Sequence, residues 1–153
     1  MIDGFDAKLL AALQRDNQQT GAQLAEKVGL SSAACLRRAQ RLREEGVIVA
    51  DVSVVAPEKV GRGLTMIVLV EMERDQAELL ESFKARMRAA PEVMQCWYVT
   101  GRADFVLTLT MRDMADYQAF TTRHFADPNV RGYETLVSMD AVKRTGATPV
   151  SID

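Results

Sequence analysis

The chain has two cysteines and one histidine among its 153 residues, and no apolar run is longer than the "MIVLV" of Met66–Val70. Each scarcity closes a class of function. Cys35 and Cys96 lie far apart with no C-x-x-C spacing, which argues against a disulfide framework or a thiolate zinc site. Both read as small buried hydrophobes. His124 stands alone, with no recognisable Ser or Cys partner and no second ligand, so neither a nucleophilic triad nor a metal centre has its usual carrier. "MIVLV" is too short to span a bilayer. "MIDGFDAK" opens with acids and offers no basic region before an apolar segment, so no secretory signal is expected. The expectation is a soluble cytoplasmic protein without membrane partner, metal or cofactor.

Chemistry-bearing loops are also missing. "GRGLT" and "VTGRAD" are too short and too poor in glycine to cradle a phosphate. The acids Glu78, Glu81, Asp113 and Asp116 read as caps and solvated positions, so the chain is not expected to be an enzyme.

What is present is a local concentration of arginine. The net charge is −2, and residues 1–60 carry eight basic and eight acidic side chains. Within that neutral half, Leu36–Arg43 holds Arg37, Arg38, Arg41 and Arg43 and no acid. Three helices are expected around it. Asp3 caps the first, which runs to about Asp16 with Phe5, Leu9, Leu10 and Leu13 on its apolar face. Thr20 and Gln23 have capping-box spacing for a second, and Gly29 ends it. Ser31 or Ser32 caps the third, which stops at Gly46. Only Gly29, Leu30 and Ser31 separate the second from the third, the short turn of a helix-turn-helix.

On a helical wheel Cys35, Ala39 and Leu42 form the buried stripe, while Ala34, Arg37, Arg38 and Arg41 share the far side. Charged helix faces are common on any soluble protein. Behind a tight turn and a short capped helix, the same face reads as a recognition helix, with guanidinium forks suited to guanine edges and phosphates. Ser31 and Ser32, at the helix N-terminus, are candidates for a phosphate contact as well as for capping.

"VIVADVSVVAP" then reads as an extended linker and "PEKVGRG" as a boundary. Beyond it the expected order is strand (Leu64–Glu73), helix capped by Asp75 with Glu78, two strands joined by "GRAD", helix capped by Asp113, and a closing strand from "VRGYETLVSM". That order is a ferredoxin-like βαββαβ sandwich, so the fold class is α+β. The strands place apolar residues on both sides of the sheet, and two helices cover only one, so a dimer through the other face is expected. Trp97 and Tyr98 are neighbours on one strand and must point to opposite faces.

"LAEKVGLSSAACLRRAQRLREEGVI" resembles the helix-turn-helix signature of the Lrp/AsnC (feast/famine) transcription regulators. The resemblance extends through "DAKLLAALQRD" and "PEVMQCWYVTGRADFVLTL". It implies a winged-type DNA-binding domain over residues 1–50, a linker over 51–62, and a ligand-sensing, oligomerising RAM-type sandwich over 63–153. It also implies dimers that assemble further, often to octamers, on pseudo-palindromic double-stranded DNA, with an amino acid as effector. The family's G-x-x-D loop falls on Gly101 and Asp104, flanked by Thr100, and its polar position in the last strand falls on Thr135. Arg102 and Ala103 stand where many members carry an acid or an aromatic. The competing class is a ferredoxin-like small-molecule or enzymatic domain whose helices mediate protein contact only. A steep salt dependence of DNA binding belongs to the regulator alone.

Overall fold

The computed structural model describes residues 1–151 and divides into two compact units. The first contains Met1–Ser53 and the segment that begins at Val142, and the second is Val54–Ala141. Among the described residues no helix is long and apolar enough to cross a membrane.

In the first unit α1 spans Gly4–Arg15, α2 Gly21–Val28 and α3 Ser32–Glu44. Local chemistry sets each start. The Asp3 carboxylate accepts the Phe5 and Asp6 N–H groups, and Asp6 returns the favour to the Asp3 N–H. Thr20 and Gln23 exchange the same pair of bonds, and Ser31 accepts the Ala34 N–H. Gly29 closes α2 at φ 82°, a backbone conformation that a side chain would strain. Gly21 is needed for a different reason, since a Cβ there would sit 3.2 Å from the Leu36 and Ser32 side chains of α3. Leu9, Leu10, Leu24, Val28, Cys35, Ala39 and Leu42 make the core.

Phe5, expected on the apolar face, is instead 41% exposed, and the buried position beside it belongs to Asp6. The side chain of Asp6 is 1% exposed and survives there because α3 supplies two guanidiniums. Arg38 Nη1 lies 2.8 Å from Oδ1 and Arg41 Nη2 lies 2.7 Å from Oδ2. Burial works against the charge, but the hydrogen bonds from Arg41 and Arg38 outweigh it and hold the carboxyl down at about 2.

The sandwich expected over 63–153 ends earlier. The chain returns to the first unit after Ala141, where the Gln14 side-chain amide bonds both the C=O and the N–H of Thr148, and Val150 packs against the helical core. A glutamine amide matches a peptide group in both donor and acceptor, so it captures an extended tail as a strand would.

Residues 49–56 run without helix or strand, and Pro57–Val60 forms a single 3-10 turn. The second unit then builds β1 (Leu64–Met72), α4 (Ala77–Ala89), β2 (Val93–Tyr98), β3 (Phe105–Met111), α5 (Met114–His124) and β4 (Val130–Val137). The sheet is antiparallel throughout in the order β2-β3-β1-β4, as the βαββαβ pattern requires. Asp113 caps α5 as expected, accepting the Asp116 N–H. Asp75 does not cap α4. The Glu73 and Arg74 N–H groups are tied to Asn129 as the chain leaves β1, and the helix starts after Gln76 with no side-chain cap.

Strand alternation sends Met66, Val68, Val70, Phe105, Leu107 and Leu109 under the helices, against Phe83, Met87 and Phe120. Ile67, Leu69, Trp97, Val106 and Leu136 point to the other face, where Trp97 is 60% exposed.

The Asp6 carboxyl titrates below its ordinary value of 3.8, so its contribution is complete above that value and is lost as pH falls toward about 2. Asp6→Asn should therefore cost about 2 kcal/mol at neutral pH and flatten the stability profile between about pH 4 and pH 2. Thermal melts of both proteins across that range check this. An equally steep acid limb in the variant contradicts it.

Candidate nucleic-acid interface and effector pocket

The arginine face of α3 borders a groove lined by Asp3, Asp6, Leu30, Ala34, Arg37, Arg38 and Arg41. Ala34 contributes only a methyl, which keeps the floor open between the longer side chains. Ser31 is exposed at the mouth of the turn with its hydroxyl capping α3, and Ser32 is half-buried. The three arginines differ in freedom. Arg37 is exposed and forms no hydrogen bond or ion pair among the described residues. Arg38 shares Nη1 between Asp3, at 2.7 Å, and Asp6, and its guanidinium lies 5.7 Å from the Phe5 ring centroid. Arg41 divides between Asp6 and Glu45, the latter at 3.5 Å. Arg43, on the flank, is held by Asp51.

In the sequence Glu44 and Glu45 come only at the C-terminal end of α3, where they cannot neutralise the arginines ahead of them. The structure adds Asp3 and Asp6, more than thirty residues away. Their signal is legible in retrospect. Asp6, Leu9, Leu10 and Leu13 have helical i, i+3, i+4, i+7 spacing, and a carboxylate on an apolar stripe demands a cationic partner.

In the second unit the loop between β2 and β3 turns at Gly101, whose φ of 119° no ordinary side chain tolerates. Beside it Leu69, Glu71, Arg102, Ala103, Gly132, Tyr133 and Glu134 line a small pocket, with Leu69, Glu71 and Glu134 on the face without helices. Arg102 and Glu134 form an ion pair across it at 3.0 Å. Thr100 is exposed at the loop. Asp104 turns inward: its Oδ2 accepts the Met72 N–H at 2.6 Å, and its own N–H donates to Val70 O. It thus fixes β1 where the register shifts between Glu71 and Met72. Thr135 lies opposite Val68 and so faces the helices, with its hydroxyl hydrogen-bonded to that of Tyr117. Within one chain the four expected residues therefore do not converge. Gly101 precedes the pocket-lining Arg102 in the loop, Asp104 serves the backbone, and Thr135 is on the opposite face. Of the charged lining, Glu134 stands one position from the expected Thr135 on β4, Glu71 comes from the same face of β1, and Arg102 comes from the loop.

His124 is half-buried against Phe120, and neither ring nitrogen has a partner among the described residues. No three His, Cys, Asp or Glu side chains come together there as a metal-binding group.

Both units match known families. Residues 2–49 match the winged helix-turn-helix DNA-binding model and residues 65–148 the Lrp/AsnC ligand-binding domain. An HTH-type transcriptional regulator of Sinorhizobium fredii is 49% identical over 152 residues, covering 99% of this chain and 90% of the relative. The crystal structure of an AsnC family transcriptional regulator from Agrobacterium tumefaciens superimposes with a TM-score of 0.91 at 34% identity, covering 97% of each chain. A Neisseria meningitidis transcriptional regulator in complex with L-Met gives the same TM-score at 29% identity and the same coverage. A helix-turn-helix followed by an antiparallel sandwich is thus shared over nearly the full length, and the chain belongs to the Lrp/AsnC family of transcriptional regulators.

Proposed function

We propose that this regulator binds pseudo-palindromic double-stranded DNA as a homo-oligomer, through the α3 faces of paired first units, and responds to an amino acid held at the second unit. The observation that carries the reading is the α3 groove, with Arg37 unpaired on its rim and Arg38 and Arg41 held in fixed orientation along it. Its role is binding and regulation, and no residue is assigned a chemical step. In a two-fold dimer the two helices face half-sites about one helical turn apart, or a multiple of it.

The apolar face of the sheet supports the oligomer. Trp97, Ile67 and Leu136 lie open on it, and a second copy docked there in two-fold symmetry removes them from water. The loop pocket opens on the same face, so a neighbouring copy would help to enclose it. Its chemistry suits a zwitterion, because Arg102 offers a fork to a carboxylate while Glu134 and Glu71 offer acceptors to an ammonium. The L-Met complex of the Neisseria relative supports an amino acid as the ligand class. With the pocket and the open sheet face in one assembly, ligand binding biases association and thereby the DNA-binding heads. A cytoplasmic location agrees with DNA as the partner.

Three outcomes are expected. Arg37→Ala should weaken binding to every duplex alike and flatten the log–log salt slope by about one unit. This is the cleanest probe, since Arg38→Ala or Arg41→Ala also strips a partner from Asp6. Fluorescence anisotropy over a salt series reads it, and a slope equal to the wild type's removes Arg37 from the interface. Trp97→Asp should shift the full chain toward monomer in sedimentation velocity, and an unaltered distribution rules out the open face as the interface. A thermal-shift screen of the twenty amino acids should find stabilisation that Arg102→Ala and Glu134→Gln each diminish. Equal stabilisation of both variants and wild type would place the effector elsewhere.

A further inference from the structure

The carboxylate of Asp3 has two oxygens with separate tasks. Oδ1 accepts the N–H groups of Phe5 and Asp6 and so caps α1. Oδ2 takes no part in the cap and lies 2.7 Å from Arg38 Nη1. Unlike Asp6, whose side chain is 1% exposed, Asp3 is 50% exposed and borders the α3 groove. Arg38 already has a buried partner in Asp6 on that same nitrogen, so Asp3 is not required to satisfy it. The remaining donors of Arg38, Nε and Nη2, make no hydrogen bond among the described residues.

From this division of labour we infer that Asp3 is a built-in competitor of DNA phosphate for Arg38, and that it sets the affinity of the recognition face for duplexes of any sequence. The inference rests on the DNA-binding reading above. A phosphate approaching the groove meets an arginine whose outward charge is partly answered by an exposed acid. To engage Arg38 through Nη1 it must displace Oδ2, and to engage it through Nη2 it must tolerate a second anion beside it. Either way part of the phosphate attraction is cancelled. Asp6 does not compete in this manner, because it is enclosed by α1 and α3 and serves both arginines at once. Arg37 has no such counterion and is unaffected. An exposed acid on a basic face therefore subtracts from sequence-independent binding, the component that holds a regulator on the wrong DNA.

Asp3→Asn tests this directly. Asparagine supplies the capping oxygen equally well, while its amide replaces Oδ2 with a group that cannot accept from Arg38. Asp3→Ser, which also caps, is the second variant. The full chain is titrated with a short random-sequence duplex across a salt series, with thermal melts run in parallel to read the helix cap. Both variants should melt close to the wild type, bind about two- to fivefold tighter at low salt, and show a log–log slope steeper by about one unit. In an Arg38→Gln background the gain should shrink or vanish, because the competition acts through Arg38. Wild-type binding that neither variant tightens overturns the role of Asp3, as does weaker binding by stable variants, which would make Asp3 an aligning residue. An undiminished gain in the Arg38→Gln background also overturns it, showing plain repulsion of phosphate. A wild-type chain that binds no duplex at any salt overturns instead the DNA-binding reading beneath it.

Discussion

A single buried carboxylate governs the first unit. Asp6 sits in the seam between α1 and α3, and both of its oxygens are answered, Oδ1 by Arg38 and Oδ2 by Arg41 and the Asp3 N–H. A buried ion pair is a poor source of net stability, since desolvation offsets most of the attraction. Its stronger effect is geometric. Rolling α3 by one residue about its axis would withdraw both guanidiniums and leave a naked charge in the core, so the roll is forbidden more firmly than apolar packing alone would forbid it. The face that α3 presents outward, with Ala34 and Arg37 on it, is therefore set by what Asp6 demands inward.

In the second unit the corresponding constraint is the two-residue period of a strand. One side of each strand is bound to the helices, so the residue next to any buried one must face the open side. That rule decides which polar groups meet. Val68 and Val70 are buried, so Leu69 and Glu71 are open. Leu69 pairs with Glu134, and Arg102 reaches across from the loop. Tyr133 and Thr135, on either side of Glu134, turn back toward the helices, where Tyr133 lies against Phe125 and Thr135 against Tyr117. The pocket is thus a consequence of register, which puts Glu134 in its lining and Thr135, one position on, toward the helices.

The same distinction explains what the sequence disclosed. Caps are local: Asp3, Thr20, Ser31 and Asp113 each satisfy an N–H two or three residues ahead, and all four are readable from spacing. Strand order follows from the alternation of elements, and the two apolar stripes from periodicity. The features that escaped are made by residues distant in sequence. Asp6 meets Arg38 and Arg41 across the helix-turn-helix, Gln14 meets Thr148 across nearly the whole chain, and Asn129 holds Glu73 and Arg74 so that Asp75 cannot cap. Local pattern carries no register for such encounters. It can only show that a group such as Asp6 is misplaced unless something comes to meet it.

Neutrality of residues 1–60 then acquires a physical meaning. The arginines that make α3 look strongly basic are largely balanced by Asp3, Asp6, Glu45 and Asp51, which leaves Arg37 as the least compensated cation on the face. A head with so little surplus charge has little sequence-independent affinity, because that component scales with the phosphates neutralised. In the proposed oligomer, useful occupancy of a site comes from joining heads, each of which raises the effective concentration of the next. Under the proposed reading this makes assembly the controlling variable. A ligand that alters how second units associate changes DNA occupancy steeply without touching α3, and it does so only because each head alone is weak. A strongly basic α3 without its acids would hold DNA as a single head and would leave the effector little to control.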